Sequence, residues 1–195
     1  NTIGSVIWIL GSTMMILCPH FLIDIMKNLV IIGAGGMGRT IFDVARESIG
    51  YGIEYTIKGF IDDNLSALDG FEDYPPMLGT ISHYLPEVDD VFTFSIGGES
   101  RRVCIEYLME RNAKFINIVH STARIGSNVR MGEGNVIGAF TSLGADCSIG
   151  SYNMIQSYTV IGHDAKIGDF NRIDTHVTWV GGIQIGDETT IHTSA

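Results

Sequence analysis

The chain has 195 residues, 45% of them apolar, and a formal net charge of −10 with a pI near 4.8. That length allows one or two domains with real cores, and so acidic a surface excludes a nucleic-acid binder, which needs a basic face to neutralise phosphates. The cysteines Cys18, Cys104 and Cys147 fit no disulfide or metal-ligand spacing, so each reads as a small buried hydrophobe in a reducing, cytoplasmic compartment.

Residues 1–25 are apolar, with Asp24 their only formal charge. A membrane span needs about 20 uninterrupted apolar residues, and Pro19, His20 and Asp24 interrupt this run too early. A signal peptide needs a basic start and a small-residue cleavage site, and neither is present. The stretch therefore reads as an upstream extension outside the functional protein, with Met26 as the natural start.

Residues 26–118 read as a first domain. Asn28 to Ile32 (NLVII) is a short buried strand, followed by Gly33-Ala34-Gly35-Gly36-Met37-Gly38 and a helix with Met37, Ile41, Val44, Ala45 and Ile49 on one face. In that context a GxGxxG match gains meaning, because free backbone N–H groups and the positive end of a helix face a phosphate. A second strand, Tyr55 to Ile61, ends in Asp62-Asp63, where such folds place an acid against a ribose hydroxyl; two solvated turn aspartates are the competing reading. Tyr74 to Gly79 breaks regular structure, and Ile81 to Leu85 forms at most one helical turn before Pro86. A third strand, Val91 to Ile96, leads through Gly97-Gly98 to a helix capped by Ser100, with Val103, Cys104, Tyr107 and Leu108 on one side. A fourth strand, Phe115 to Ile118, runs without a linker into a second domain. The first domain is about half of a doubly wound α/β dinucleotide fold, with room for a mononucleotide or a nucleotide-sugar at its glycine loops.

From residue 119 an apolar side chain returns at every sixth position: Val119, Ile125, Met131, Ile137, Leu143, Ile149, Ile155, Ile161, Ile167, Ile173, Trp179, Ile185 and Ile191. Glycine comes after most of them, and a mostly small residue stands four places on. This hexapeptide repeat predicts a parallel β-helix over 119–195, in which the first and fifth residues of each hexad point inward, the glycine step lets the chain bend, and three hexads close one coil. The chain ends inside a hexad, so the β-helix is expected to be incomplete at its C-terminus. His163 is the third residue of its hexad, an outward position, and Gly181 lies one 18-residue coil later, directly above it. A base beside an open backbone donor is the minimum set for acyl transfer.

The segment KNLVIIGAGGMGRTIFDVARE, the later GFIDD and PMLG, the SIGG before a helix, and hexapeptides carrying VIGHDAKIG together resemble one bacterial acyltransferase family. It is the sialic-acid O-acetyltransferase and UDP-4-amino-sugar N-acetyltransferase group of surface-glycan biosynthesis, and the resemblance covers residues 27–195. It implies a Rossmann-like domain that holds the nucleotide-sugar and a left-handed β-helix that assembles as a homotrimer, with acetyl-CoA between neighbouring helices and no metal. It further implies His163 as general base, oriented by Asp164, and the Gly181 N–H against the acetyl carbonyl. Arg172 is implied near the acetyl group, and Gln156 on the substrate side with Gly33, Gly35, Gly36, Gly38, Asp62, Asp63, Gly97 and Gly98. Two positions depart from the family pattern: Met37 and Arg172 stand where histidines are common. Two other readings remain open, a non-catalytic nucleotide-sugar-binding scaffold and a metal-dependent carbonic anhydrase on the same β-helix. The second would need three convergent imidazoles.

Overall fold

The computed structural model describes residues 26–195, with the expectation for 1–25 outside that range. The first strand, β1 (Lys27–Ile32), is fully buried from Leu29 to Ile32 because it lies inside a parallel sheet covered on both faces. It pairs in parallel with β2 (Tyr55–Ile61) and with β4 (Asp90–Phe94), while β3 (Met77–Gly79) adds to β2, giving the order β3-β2-β1-β4. The sheet has the expected four strands but not the expected members. Met77–Gly79, predicted as irregular, is an edge strand, and Phe115 only bridges Phe92 before Ile118–Val119 enters the β-helix.

The helix α1 (Gly36–Arg46) buries Ile41, Phe42, Val44 and Ala45. Ile49, predicted on that face, lies past the helix end and is exposed, because the backbone turns at Glu47 and ties to the β-helix through Ile49 N–H to Val119 O. The helix α2 (Glu99–Met109) starts two residues earlier than an N-cap at Ser100 predicts: its N-cap is Gly98, at φ +65°. Its buried stripe is Arg101, Ile105 and Leu108, and Val103 faces solvent. The stripe is rotated from the predicted one because an arginine occupies the first buried position and reads as polar in sequence.

Residues 118–191 form three parallel sheets of two-residue strands. The first face stacks Ile118–Val119, Val136–Ile137, Met154–Ile155, Arg172–Ile173 and Thr190–Ile191; the second runs from Arg124–Ile125 to Thr178–Trp179; the third from Arg130–Met131 to Gln184–Ile185. Each strand pairs with the one 18 residues on. Ile137, Leu143, Ile149, Ile155, Ile161, Ile167 and Ile173 fill the interior with Cys147, Ala165 and Val177.

The repeat glycines have a different role from the predicted one. Bending is done by the fourth residue of each hexad, which sits in the left-handed region: Asn128, Phe140, Asp146, Tyr152, Tyr158, Asp164, Phe170 and His176 have φ between 56° and 62°. Stacking of coils over-determines this costly conformation, as in Asp164 N–H to Ala145 O at 3.0 Å. The glycine is needed for close approach instead, since a Cβ on Gly144 or Gly162 would lie 2.4 Å from a backbone nitrogen of the next coil.

A buried polar ladder, Asn135, Asn153 and Asn171, runs along one corner of the prism. Each side-chain oxygen accepts the backbone N–H of the residue one coil on, at 2.8–3.0 Å, and Asn117 starts the series. The same corner docks the first domain. Phe115 meets Tyr152 edge-on at 5.5 Å, and the buried Arg101 guanidinium donates to the carbonyls of Phe170 and Asn171.

Candidate active site

His163 and Asp164 lie at the corner between the second and third faces. The left-handed φ of +57° that the turn imposes on Asp164 is one that aspartate tolerates, because its short polar chain can bond locally. Here it does: Asp164 Oδ2 lies 2.6 Å from His163 Nδ1, which leaves Nε2 free, and the imidazole is 71% exposed. The carboxylate only accepts, so it holds the proton on Nδ1 and makes Nε2 the proton acceptor.

Gly181 sits one coil above. A Cβ built there would lie 2.6 Å from both Cε1 and Nε2 of His163, so the ring rests in the space that glycine leaves. At the neighbouring corner the equivalent N–H groups are capped by side chains of the next coil, Ser151 N–H by Asp169 and Asp169 N–H by Asp187. Gly181 has no side chain to cap His163 in that way. Among the described residues neither the His163 nor the Gly181 N–H has a partner, so this corner presents a base and open backbone donors together.

The glycine loops of the first domain divide into structural and open positions. Gly33, at φ +92°, makes the turn after β1, and Gly38 packs α1 onto it, since a Cβ there would meet Gly33 O at 2.2 Å. Gly35 has nothing within 4 Å of an added Cβ and Gly36 only the end of Arg39, so these two leave room for a ligand at the start of α1. Asp62 closes the loop from the other side: Oδ2 accepts Ala34 N–H and Oδ1 accepts Asn64 N–H, each at 2.8 Å. Asp63 ties down Ile81 N–H at 3.1 Å. Both aspartates thus hold the loop's shape, in keeping with the turn reading. Arg39, which sequence reasoning passed over, brings a guanidinium to this loop and stacks on Phe71 at 3.6 Å. A basic residue in the first helical turn after a glycine loop was the available signal.

Gln156 lines a cavity of about 90 Å³ between α1 and the first face, beside Met37 and Thr40. Arg172 stands on the same face, 3.2 Å from where a Cβ on Gly97 would be. The structure therefore brings Gln156 to Met37 and Arg172 to Gly97, both pairs where the first domain meets the first face. Within one chain it does not bring Arg172 to His163, which lies at a different corner of the prism. Gly98 caps α2 beside them. No three His, Cys, Asp or Glu side chains among the described residues form a metal-sized group.

The PglD N-terminal domain family matches residues 28–107, and the bacterial transferase hexapeptide repeats match residues 128–163. The UDP-N-acetylbacillosamine N-acetyltransferase of Bacillus subtilis (strain 168) is 30% identical over 117 residues, which are 57% of this chain and 51% of that protein. The chain thus spans about half the length of this curated relative. WeeI from Acinetobacter baumannii AYE superposes with a TM-score of 0.73 at 24% identity, over 87% of this chain and 79% of that one. PerB from Caulobacter crescentus, solved in complex with CoA and GDP-perosamine, gives 0.51 at 19% identity, over 86% and 89%. At these identities the two structures show the shared fold, a half-Rossmann domain followed by a left-handed parallel β-helix. The chain thus joins a segment similar to the PglD N-terminal domain, residues 28–107, to a segment similar to bacterial transferase hexapeptide repeats, residues 128–163.

Proposed function

We propose that this protein is an acetyl-CoA-dependent acetyltransferase that acylates the amine of a nucleotide-activated amino sugar in the cytoplasm and works as a homotrimer. The observation that carries this reading is the His163–Asp164 pair, with Nε2 free and the ring seated against Gly181. The relatives support the substrate class: one is named for UDP-N-acetylbacillosamine, and PerB was solved with GDP-perosamine and CoA.

In the reaction His163 Nε2 takes a proton from the sugar amine as its nitrogen attacks the thioester carbonyl of acetyl-CoA. Asp164 holds Nδ1–H and stabilises the imidazolium. The Gly181 N–H meets the negative charge that develops on the acetyl oxygen. As the C–S bond breaks, His163 returns the proton to the departing thiolate, giving CoA and the N-acetylated sugar. The glycine loop at Gly35 and Gly36 takes the nucleotide phosphates.

The trimer reading is supported by the shape of the prism, with three flat faces, and by an exposed stacked series along one corner. Phe140, Tyr158 and His176 lie ring on ring at 5.1 Å, an apolar strip suited to a second copy. Incubation with acetyl-CoA and either UDP-N-acetylbacillosamine or GDP-perosamine, followed by mass spectrometry, tests the function. One added acetyl group on the sugar amine is expected; recovery of both sugars unmodified would refute it.

A further inference from the structure

Asp174 comes directly after the strand Arg172–Ile173 and is 7% exposed, yet its carboxylate collects three donors. Oδ1 accepts from Gln156 Nε2 at 2.7 Å and from Arg172 Nε at 2.6 Å, and Oδ2 lies 3.3 Å from His192 Nδ1. Gln156, Asp174 and His192 are spaced by 18 residues, so they form a short polar ladder up the first face.

This arrangement does more than satisfy a buried acid. A carboxylate accepts and cannot donate, so Gln156 must turn its NH₂ to Asp174, which leaves its amide oxygen for another group. Arg172 is held through Nε alone, which leaves its two terminal nitrogens as a planar fork with no partner among the described residues. Nη1 lies 3.2 Å from the Cβ position of Gly97, so a side chain at 97 would press on the guanidinium. Arg101 stands near enough that Arg172 adds to the burial that lowers its pKa to about 10. Asp174 supplies the negative charge that holds Arg172 in this electropositive place.

We propose that Asp174 is a positioning residue for the nucleotide-sugar. It fixes the Arg172 fork at the Gly97 loop, where Arg172 takes a phosphoryl oxygen rather than the place near the acetyl group that the resemblance implies, and fixes the Gln156 amide oxygen in the cavity beside Met37, where it accepts from a sugar hydroxyl. The inference rests on the nucleotide-sugar reading above and adds that this binding site is built from both domains.

The test is steady-state kinetics on the full chain with Asp174→Ala and Asp174→Asn, using UDP-N-acetylbacillosamine or GDP-perosamine with acetyl-CoA. Asp174→Ala is expected to raise the KM for the nucleotide-sugar about tenfold, the worth of one charge-assisted hydrogen bond. kcat and the KM for acetyl-CoA should stay within about twofold. Asp174→Asn keeps an accepting oxygen and should raise the same KM by less. A purely structural role would lower Tm without this split. An unchanged nucleotide-sugar KM, or a fall in kcat alone, in a folded Asp174→Ala overturns the proposal. Should that variant not fold, an unchanged KM in both Asp174→Asn and Arg172→Lys overturns it equally. A wild type that turns over neither sugar overturns the acetyltransferase reading instead, and this inference with it.

Discussion

At single residues of this protein, one carbon or one charge more or less decides whether a contact survives. Gly181 has an ordinary backbone conformation, so the cost of adding a methyl there falls on the imidazole that rests against it. Gly181→Ala should therefore fold with near wild-type Tm and lose activity, with the His163 ring displaced in its crystal structure; an unmoved ring would contradict the close fit. Asp90 makes a contrasting case. Its buried carboxylate accepts from Lys58 Nζ at 2.8 Å, from the Tyr84 hydroxyl at 2.7 Å and from Glu87 N–H at 2.9 Å. Burial opposes its ionisation, but these three partners outweigh burial and hold its pKa below the ordinary carboxylate value, while burial pushes the Tyr84 phenol up to about 12. A lowered carboxylate pKa contributes stability above the unfolded value near 3.9 and loses it as pH falls through the folded one. Asp90→Asn should thus cost about 3 kcal/mol at neutral pH, with the difference from wild type shrinking in acid, read from urea unfolding at several pH values. An equal cost at every pH would refute the ion-pair account.

At the scale of elements, the β-helix was legible because its rule is local and repeats: one inward side chain every six residues, whatever lies around it. What the hexad glycines do was not legible, because close approach between coils is a contact between residues 18 or more apart, whereas a glycine in sequence suggests a bend. The asparagine ladder was visible as Asn117, Asn135, Asn153 and Asn171 at a constant spacing, but asparagine reads as a turn residue until burial is known. Asn153→Ala would orphan the buried N–H of Asn171 and break the two bonds from Asn153 Nδ2 to Asn135 Oδ1 and Gly168 O, costing about 1–3 kcal/mol. Chemical denaturation would check this, and a loss below about 0.5 kcal/mol would contradict the ladder's weight. In the first domain the glycine loop and three of the strands, β1, β2 and β4, were plain, whereas β3 was not. Three residues after two prolines carry no period, and their pairing with β2 is a tertiary choice. Of the site, the stacking of Gly181 on an outward His163 came from hexad arithmetic, and Asp164 as the partner of His163 from the family resemblance. The bonding of Gln156 and Arg172 to Asp174 was not legible, since it depends on which side chains of successive coils meet.

At the scale of the molecule, the two parts are locked through α2 and Phe115. Arg101 crosses the boundary to the carbonyls beside the asparagine ladder, so the glycine loop at its helix start and the β-helix face carrying Arg172 are tied to one another. Arg101→Ala removes those donors and should raise the KM for nucleotide-sugar while leaving the β-helix folded, which limited proteolysis and kinetics would report together. Among the described residues no helix is long and apolar enough to cross a membrane. The proposed homotrimer predicts a mass three times that of one chain in light scattering, and loss of that species in a Tyr158→Glu variant that places charge in the stacked corner.

The central claim is that His163 removes the proton from the attacking amine. Its most direct test is kcat for His163→Ala against wild type, with acetyl-CoA and the nucleotide-sugar both saturating. Removal of a general base predicts a fall of about 10² to 10⁴ in kcat with the nucleotide-sugar KM little changed, and a smaller fall for Asp164→Asn. A His163→Ala protein that keeps more than about a tenth of wild-type kcat would contradict the assignment.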